Sequence, residues 1–238
     1  MLALEPIAQD PRYHDLADGR TLLGIPNFVN VASNLPFLII GIAGLLGPPQ
    51  TRPPAGAWPV WAVFFAGVAL TGLGSAYYHL APADPTLVWD RLPMTLAFMG
   101  LFVALLSEHA GERLTRYLLA PAILIGLASI GWWLYADDLR LYLWVQGAPL
   151  LAVLLALLLF PPRYTHRAYL LYGLGFYVLA KIAEFHDPEL YALTAETLSG
   201  HSAKHLLASV SALYVCLMLR RREPTPPSEL PGRPGPRG

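Results

Sequence analysis

Five side chains in this sequence have the types and spacing to do chemistry together: Ser75, His79, Asp90, His201 and His205. Ser75 and His79 stand four residues apart in GLGSAYYHL, and His201 and His205 stand four apart in GHSAKHLLAS. On a helix, residues at that spacing share one face, about one turn from each other. Three imidazoles leave the fourth position of a tetrahedral metal open, which is the arrangement of a common catalytic zinc site. Zinc lowers the pKa of bound water towards ~7 and so supplies a nucleophile at neutral pH. Asp90, in VWDRLPM, could take that proton and later deliver it to a leaving amine. Ser75 could donate to a zinc ligand or to a developing oxyanion. An HxxxH pair alone is a weak signal. A third helical histidine at matching depth, with Ser and Asp nearby, is a much stronger one.

The elements that must position these groups follow from composition. The 238 residues are 55% hydrophobic and only 13% charged, with a mean hydropathy of +0.46. A soluble domain carries about 25% charged residues, so a membrane protein is the expected class, with the bilayer and a lipid substrate as its surroundings. The formal net charge is zero, which gives nucleic acid nothing to bind. Cys216 is the only cysteine, so neither an internal disulfide nor a cysteine metal site can form.

Apolar runs near the ~20 residues that a bilayer requires cover 28–47, 58–80, 92–108, 115–135, 140–160, 167–186 and 200–220. The expected fold is all-α, an integral membrane bundle of seven transmembrane helices. Residues 1–26 form a polar N-terminal segment without the pattern of a signal peptide. Residues 27–220 form the seven-helix membrane domain, and 221–238 a proline- and glycine-rich tail expected to be disordered. The third helix is expected to start at Leu92-Pro93, after a loop that carries Asp90. Arg52, Arg113, Arg116, Arg163, Arg167, Arg220, Arg221 and Arg222 fall on one side, against Arg12, Arg20, Arg91 and Arg140 on the other. The positive-inside rule then places the C-terminus in the cytoplasm and the N-terminus outside. Ser75, His79, Asp90, His201 and His205 all arrive at the outer end.

GSAYYH, DRLPMTLAFM and HSAKH, with NFVNVASNLPF at the first helix, resemble the alkaline ceramidase family. That family belongs to a wider seven-helix hydrolase superfamily that includes adiponectin-receptor-like proteins. The likeness runs over roughly residues 13–220. It implies a seven-helix bundle enclosing zinc and hydrolysis of the ceramide amide to a fatty acid and a sphingoid base. Carried over position by position, it implies that His79, His201 and His205 hold zinc while Ser75 and Asp90 serve the reaction. Eukaryotic relatives also bind calcium through acidic residues before and at the start of helix 1. Asp15 and Asp18 could contribute to such a site, but Asn27 stands where that branch has Glu, which counts against Ca2+ here.

Blander readings stand beside these. The histidines could be hydrogen-bonded packing residues, Ser75 could bond back to Thr71 or Gly72, and Asp90 could pair with Arg91 or cap a helix. Arg91 reads as a snorkelling anchor, Lys204 as structural, and His14, His109, His166 and His186 as solvated, with His186 a spare ligand. Trp58, Trp61, Tyr77 and Tyr78 read as interfacial belt residues. Competing functions are a receptor-like member of the superfamily with little turnover, a bis-histidine haem protein, and an intramembrane serine protease. The last is disfavoured because GLGS lies within a helical run.

Overall fold

The computed structural model describes residues 5–47, 58–111, 113–161 and 163–225; Arg52 and the tail from 226 to 238 lie outside the described residues. Seven crossings follow in order. The first is broken into α1 (Phe28–Ala32) and α2 (Leu35–Leu46). The others are α3 (Trp58–Leu80), α4 (Asp84–Ala110), α5 (Arg113–Ala136), α6 (Arg140–Leu159), α7 (Ala168–Phe185) and α9 (Gly200–Arg221). A short α8 (Asp187–Leu193), not expected from the sequence, sits between the last two. All seven are long and apolar enough to cross a membrane, and no strand occurs among the described residues. The all-α expectation holds.

The third crossing departs from expectation in a way that matters. Asp90 and Arg91 are not in a loop, because α4 begins at Asp84 with Pro85 in its first turn and carries Pro93 inside. Pro93 has no N–H to give the Trp89 carbonyl four residues back. That carbonyl lies against Gly74 of α3, where an added Cβ would stand only 1.9 Å from it. Only glycine permits this approach. It sets α3 and α4 side by side, with Ser75 beside Asp90.

The break in the first crossing turns Asn30, Ser33 and Asn34 into the interior, where all three are buried. Asn30 accepts from the Ser202 hydroxyl at 2.7 Å, tying α1 to the start of α9. Ser199 caps α9 by accepting from the Ser202 amide at 3.0 Å, meeting one of the donors that a helix start leaves open. Helices α3 and α4 pack closely, as do α7 and α9, while α6 and α7 touch only sparsely.

The polar N-terminal segment is fastened across one end of the bundle. At the α5–α6 turn, Leu139 N–H donates to the Ile7 carbonyl at 2.8 Å and Gln9 N–H to the Asp137 carboxylate at 2.9 Å. At the far side, Ala17 N–H donates to Asp187 at 2.9 Å and Arg20 to the Thr197 carbonyl at 3.0 Å. Two expected belt residues are interior instead: Trp61 is buried with its indole N–H on Glu108, and Tyr78 is buried with its hydroxyl on His14. At the opposite end, order runs past the expected start of the tail. Arg222 pairs with Glu108, and Glu223 N–H donates to Thr165 Oγ1 at 2.9 Å.

Candidate functional site

Helix periodicity alone delivers the two i,i+4 pairs. The last two turns of α3 present Ser75 and His79, and the first two turns of α9 present His201 and His205, all four buried. The three imidazoles form a near-equilateral triangle, with ring centroids 4.8, 4.8 and 4.9 Å apart. One nitrogen from each lies within 4.8 Å of the others, as a shared metal requires.

Details of the donors bear on whether a metal fits. Ser33 Oγ lies 2.8 Å from His205 Nδ1, and Ser33 also donates to the Asn30 carbonyl at 3.0 Å. An outer hydrogen bond of this kind orients metal-binding histidines. His79 Nε2 faces His205 Nε2 at 3.2 Å. Two nitrogens each about 2.0–2.1 Å from a tetrahedral ion stand about 3.3 Å apart, whereas ligands on opposite faces of a haem iron stand about 4 Å apart. The spacing of this pair suits a tetrahedral ion. His79 Nδ1 is buried without a hydrogen-bond partner. His186, the spare candidate, is exposed and outside the group.

Asp90 is buried on α4 beside the buried Ser75 of α3. Both border a polar chamber of about 280 Å³ that His205 also lines. Beneath it lies an apolar chamber of about 120 Å³ between α3, α4, α6, α7 and α9. The two share Phe37, Thr71, Met94, Tyr177 and Ala208 as walls.

Three residues that the sequence did not single out as functional belong to this site. Lys204 Nζ lies 3.0 Å from His201 Nε2 and 2.9 Å from Glu184, so it is not a bystander. Glu184 of α7 also holds Lys181 and accepts from the Tyr13 hydroxyl at 3.3 Å. Arg91 does not snorkel: it is buried, 2.6 Å from Gln9 Oε1, with its guanidinium 4.4 Å from the Trp133 ring centre. An i,i+3 relation between His201 and Lys204 was the available signal. His14 is likewise engaged, with Tyr78 and Asp84.

Where calcium was considered, Arg20 clasps both oxygens of the buried Asp18 at 2.8 and 2.7 Å and holds that carboxyl below the usual carboxylate range. Asp15 is exposed, and Asn27 gives its side-chain N–H to the His79 carbonyl at 2.9 Å. These residues do not fit a calcium ion, because a fixed cation already takes the buried carboxylate.

The sequence model described as Ceramidase matches residues 24–168, more than half of the chain. The matched span contains Ser75, His79 and Asp90 and ends before the two histidines of α9. No curated protein matches the chain.

Proposed function

Because the chain belongs to the ceramidase family, we propose that this multi-pass membrane protein is a zinc-dependent amidohydrolase that cleaves ceramide or a similar N-acyl lipid. The observation that carries this reading is the buried triangle of His79, His201 and His205 beside the Ser75–Asp90 pair at the mouth of an apolar chamber. Those three histidines would hold the ion, whose contribution when bound is to polarise the acyl carbonyl and acidify water.

The rest falls to the chain's own residues. The apolar chamber takes the acyl chain, as the interior of a bundle commonly does, and the sparse α6–α7 contact gives a lipid its way in from the bilayer. The amide then lies beside Asp90, buried away from bulk water. Asp90 accepts the proton of the attacking water and returns it to the nitrogen as the C–N bond breaks, giving a carboxylate and an amine. Ser75 fixes the orientation of that carboxylate. The same reading sets the C-terminus in the cytoplasm, on the side richer in arginine outside the chamber; a reporter fused after Arg222 tests it.

The function is tested by incubating purified, zinc-loaded protein with a mixed lipid extract and identifying the products. Release of fatty acid and free amine, abolished by a chelator and restored by zinc, is expected. Products of ester cleavage alone, or release that a chelator leaves untouched, would sink the reading.

A further inference from the structure

The charges sheltered in the polar chamber match. Asp10 and Lys181 stand at its exposed rim, with side chains 54% and 42% accessible to solvent. Inside it, Lys204 and Arg91 stand against Glu184 and Asp90. Lys204 donates to Glu184 at 2.9 Å, and Arg91 donates to Gln9 Oε1 at 2.6 Å. A charged head would find no spare countercharge here, so the groups left to read a ligand are neutral ones.

Two neutral side chains of the wall keep hydrogen-bonding capacity: Tyr177 of α7 and Gln146 of α6, both half-buried. Tyr177 borders the polar and the apolar chamber alike, its ring set edge-on to Phe98 at 5.8 Å. Its hydroxyl makes no hydrogen bond among the described residues. The other hydroxyl on that shared wall, Thr71, is already spent on the Gly67 carbonyl at 2.8 Å. Gln146 stands beside Tyr142, and its amide carries two donors and a carbonyl, more than one neighbour satisfies. Holding such groups in an apolar bundle without partners is costly. They sit, moreover, one on each of the two helices whose contact is sparse.

Taking the amidohydrolase reading as given, the acyl chain lies in the apolar chamber and the amine half in the polar one, between α6 and α7. We infer that Tyr177 and Gln146 are specificity-determining residues that hydrogen-bond a neutral hydroxyl on the amine half. A hydroxyl both donates and accepts, so a phenol and an amide can meet it together. An alkylamine of the same shape leaves both groups unpaired, which is how a site built to hydrogen-bond its substrate rejects an analogue that lacks the partner.

The test compares N-lauroylethanolamine with N-lauroylpropylamine, which match in size and exchange a hydroxyl for a methyl, on the full-length zinc-loaded protein in detergent. Equilibrium binding of each lipid and release of laurate are both measured. The readout is the ratio of the two affinities, compared between proteins so that partition of the lipids into the micelle cancels. Tyr177→Phe keeps the ring and removes the hydroxyl, and it should lower the ratio about 3- to 10-fold, the usual worth of a neutral hydrogen bond. Gln146→Leu should lower it by a similar factor. A ratio that either variant leaves within about twofold of the unaltered protein's, whatever happens to overall affinity, overturns the inference. If the ratio falls in both variants and the unaltered protein cleaves neither lipid, the subsite stands and the amidohydrolase reading falls. If both lipids are cleaved and the ratio does not move, the enzyme stands and the subsite falls.

Discussion

Each end of the bundle buries a charged cluster, and the two are finished differently. At the end away from the histidines, Glu108 accepts from the Trp61 indole at 3.0 Å and from Arg222 at 2.7 and 2.8 Å, while the Arg222 guanidinium lies 4.3 Å from the Tyr164 ring centre. The space beside this cluster is only about 30 Å³. At the other end, the imidazoles, Asp90 and the lysines border a chamber of about 280 Å³, and His79 Nδ1 has no partner. A closed cluster of paired charges holds helices together. An open one with unused donors and acceptors is prepared for something that arrives later. Burial of charge is common to both, so burial alone does not mark a site.

The largest effect should come from the triangle. His201→Ala or His205→Ala should strip the metal and with it all measurable turnover, because two imidazoles cannot complete a three-ligand site. Full metal content in either variant, by elemental analysis, would break the contrast at its centre. Asp90→Asn comes next: turnover should fall about 10²–10⁴-fold with the metal retained. Loss of metal as well would make Asp90 a ligand, and near-normal turnover would reduce it to a structural residue inside α4.

Glu108→Gln sharpens the comparison from the other end. Breaking a buried ion pair costs about 3–5 kcal/mol of stability, so thermal unfolding should come earlier while metal content and turnover per folded molecule stay the same. A catalytic defect at temperatures where the variant remains folded would mean that the two ends are coupled.

The smallest effect concerns the N-terminal fastening. Arg140 holds the Asp138 carboxyl below its ordinary value, and Asp138 in turn accepts from the Ile7 amide at 3.3 Å. A depressed carboxylate contributes stability that is fully present above its unfolded value of about 3.9 and is lost as pH falls through the folded value. Protection of the Ile7 amide, its exchange rate relative to the intrinsic rate at each pH, should therefore hold steady from neutrality down to about pH 4 and fall only in stronger acid. A fall already at about pH 6 would assign the fastening to another group.

Most of the scaffold was legible because a bilayer imposes its thickness on the sequence: each apolar run became a crossing, with ends shifted by a few residues except at α4. The Ser75–His79 and His201–His205 pairs were legible because helix geometry converts i,i+4 spacing directly into a shared face. What escaped depended on partners distant in sequence. Pro93 reads as a helix start, and only the approach of Gly74 to the Trp89 carbonyl accommodates it within a helix. Glu184 and Lys204 are twenty residues apart and on different helices, so their pairing had no local signature. Ser33 fell in an apolar run with nothing to link it to His205, 172 residues away. The polar N-terminal segment has no periodicity, and its anchors lie 128 to 177 residues further on.

That last separation has a consequence for how the molecule is made. A ribosome adds about 5–20 residues per second, so Ile7 and Gln9 wait for Asp137 and Asp138, and Arg20 waits longer still, until Thr197 has emerged. His201 and His205 emerge directly after Thr197. The cover therefore cannot be fastened along its whole length much before the last two imidazoles exist, so the cover and the histidine triangle are completed at nearly the same moment.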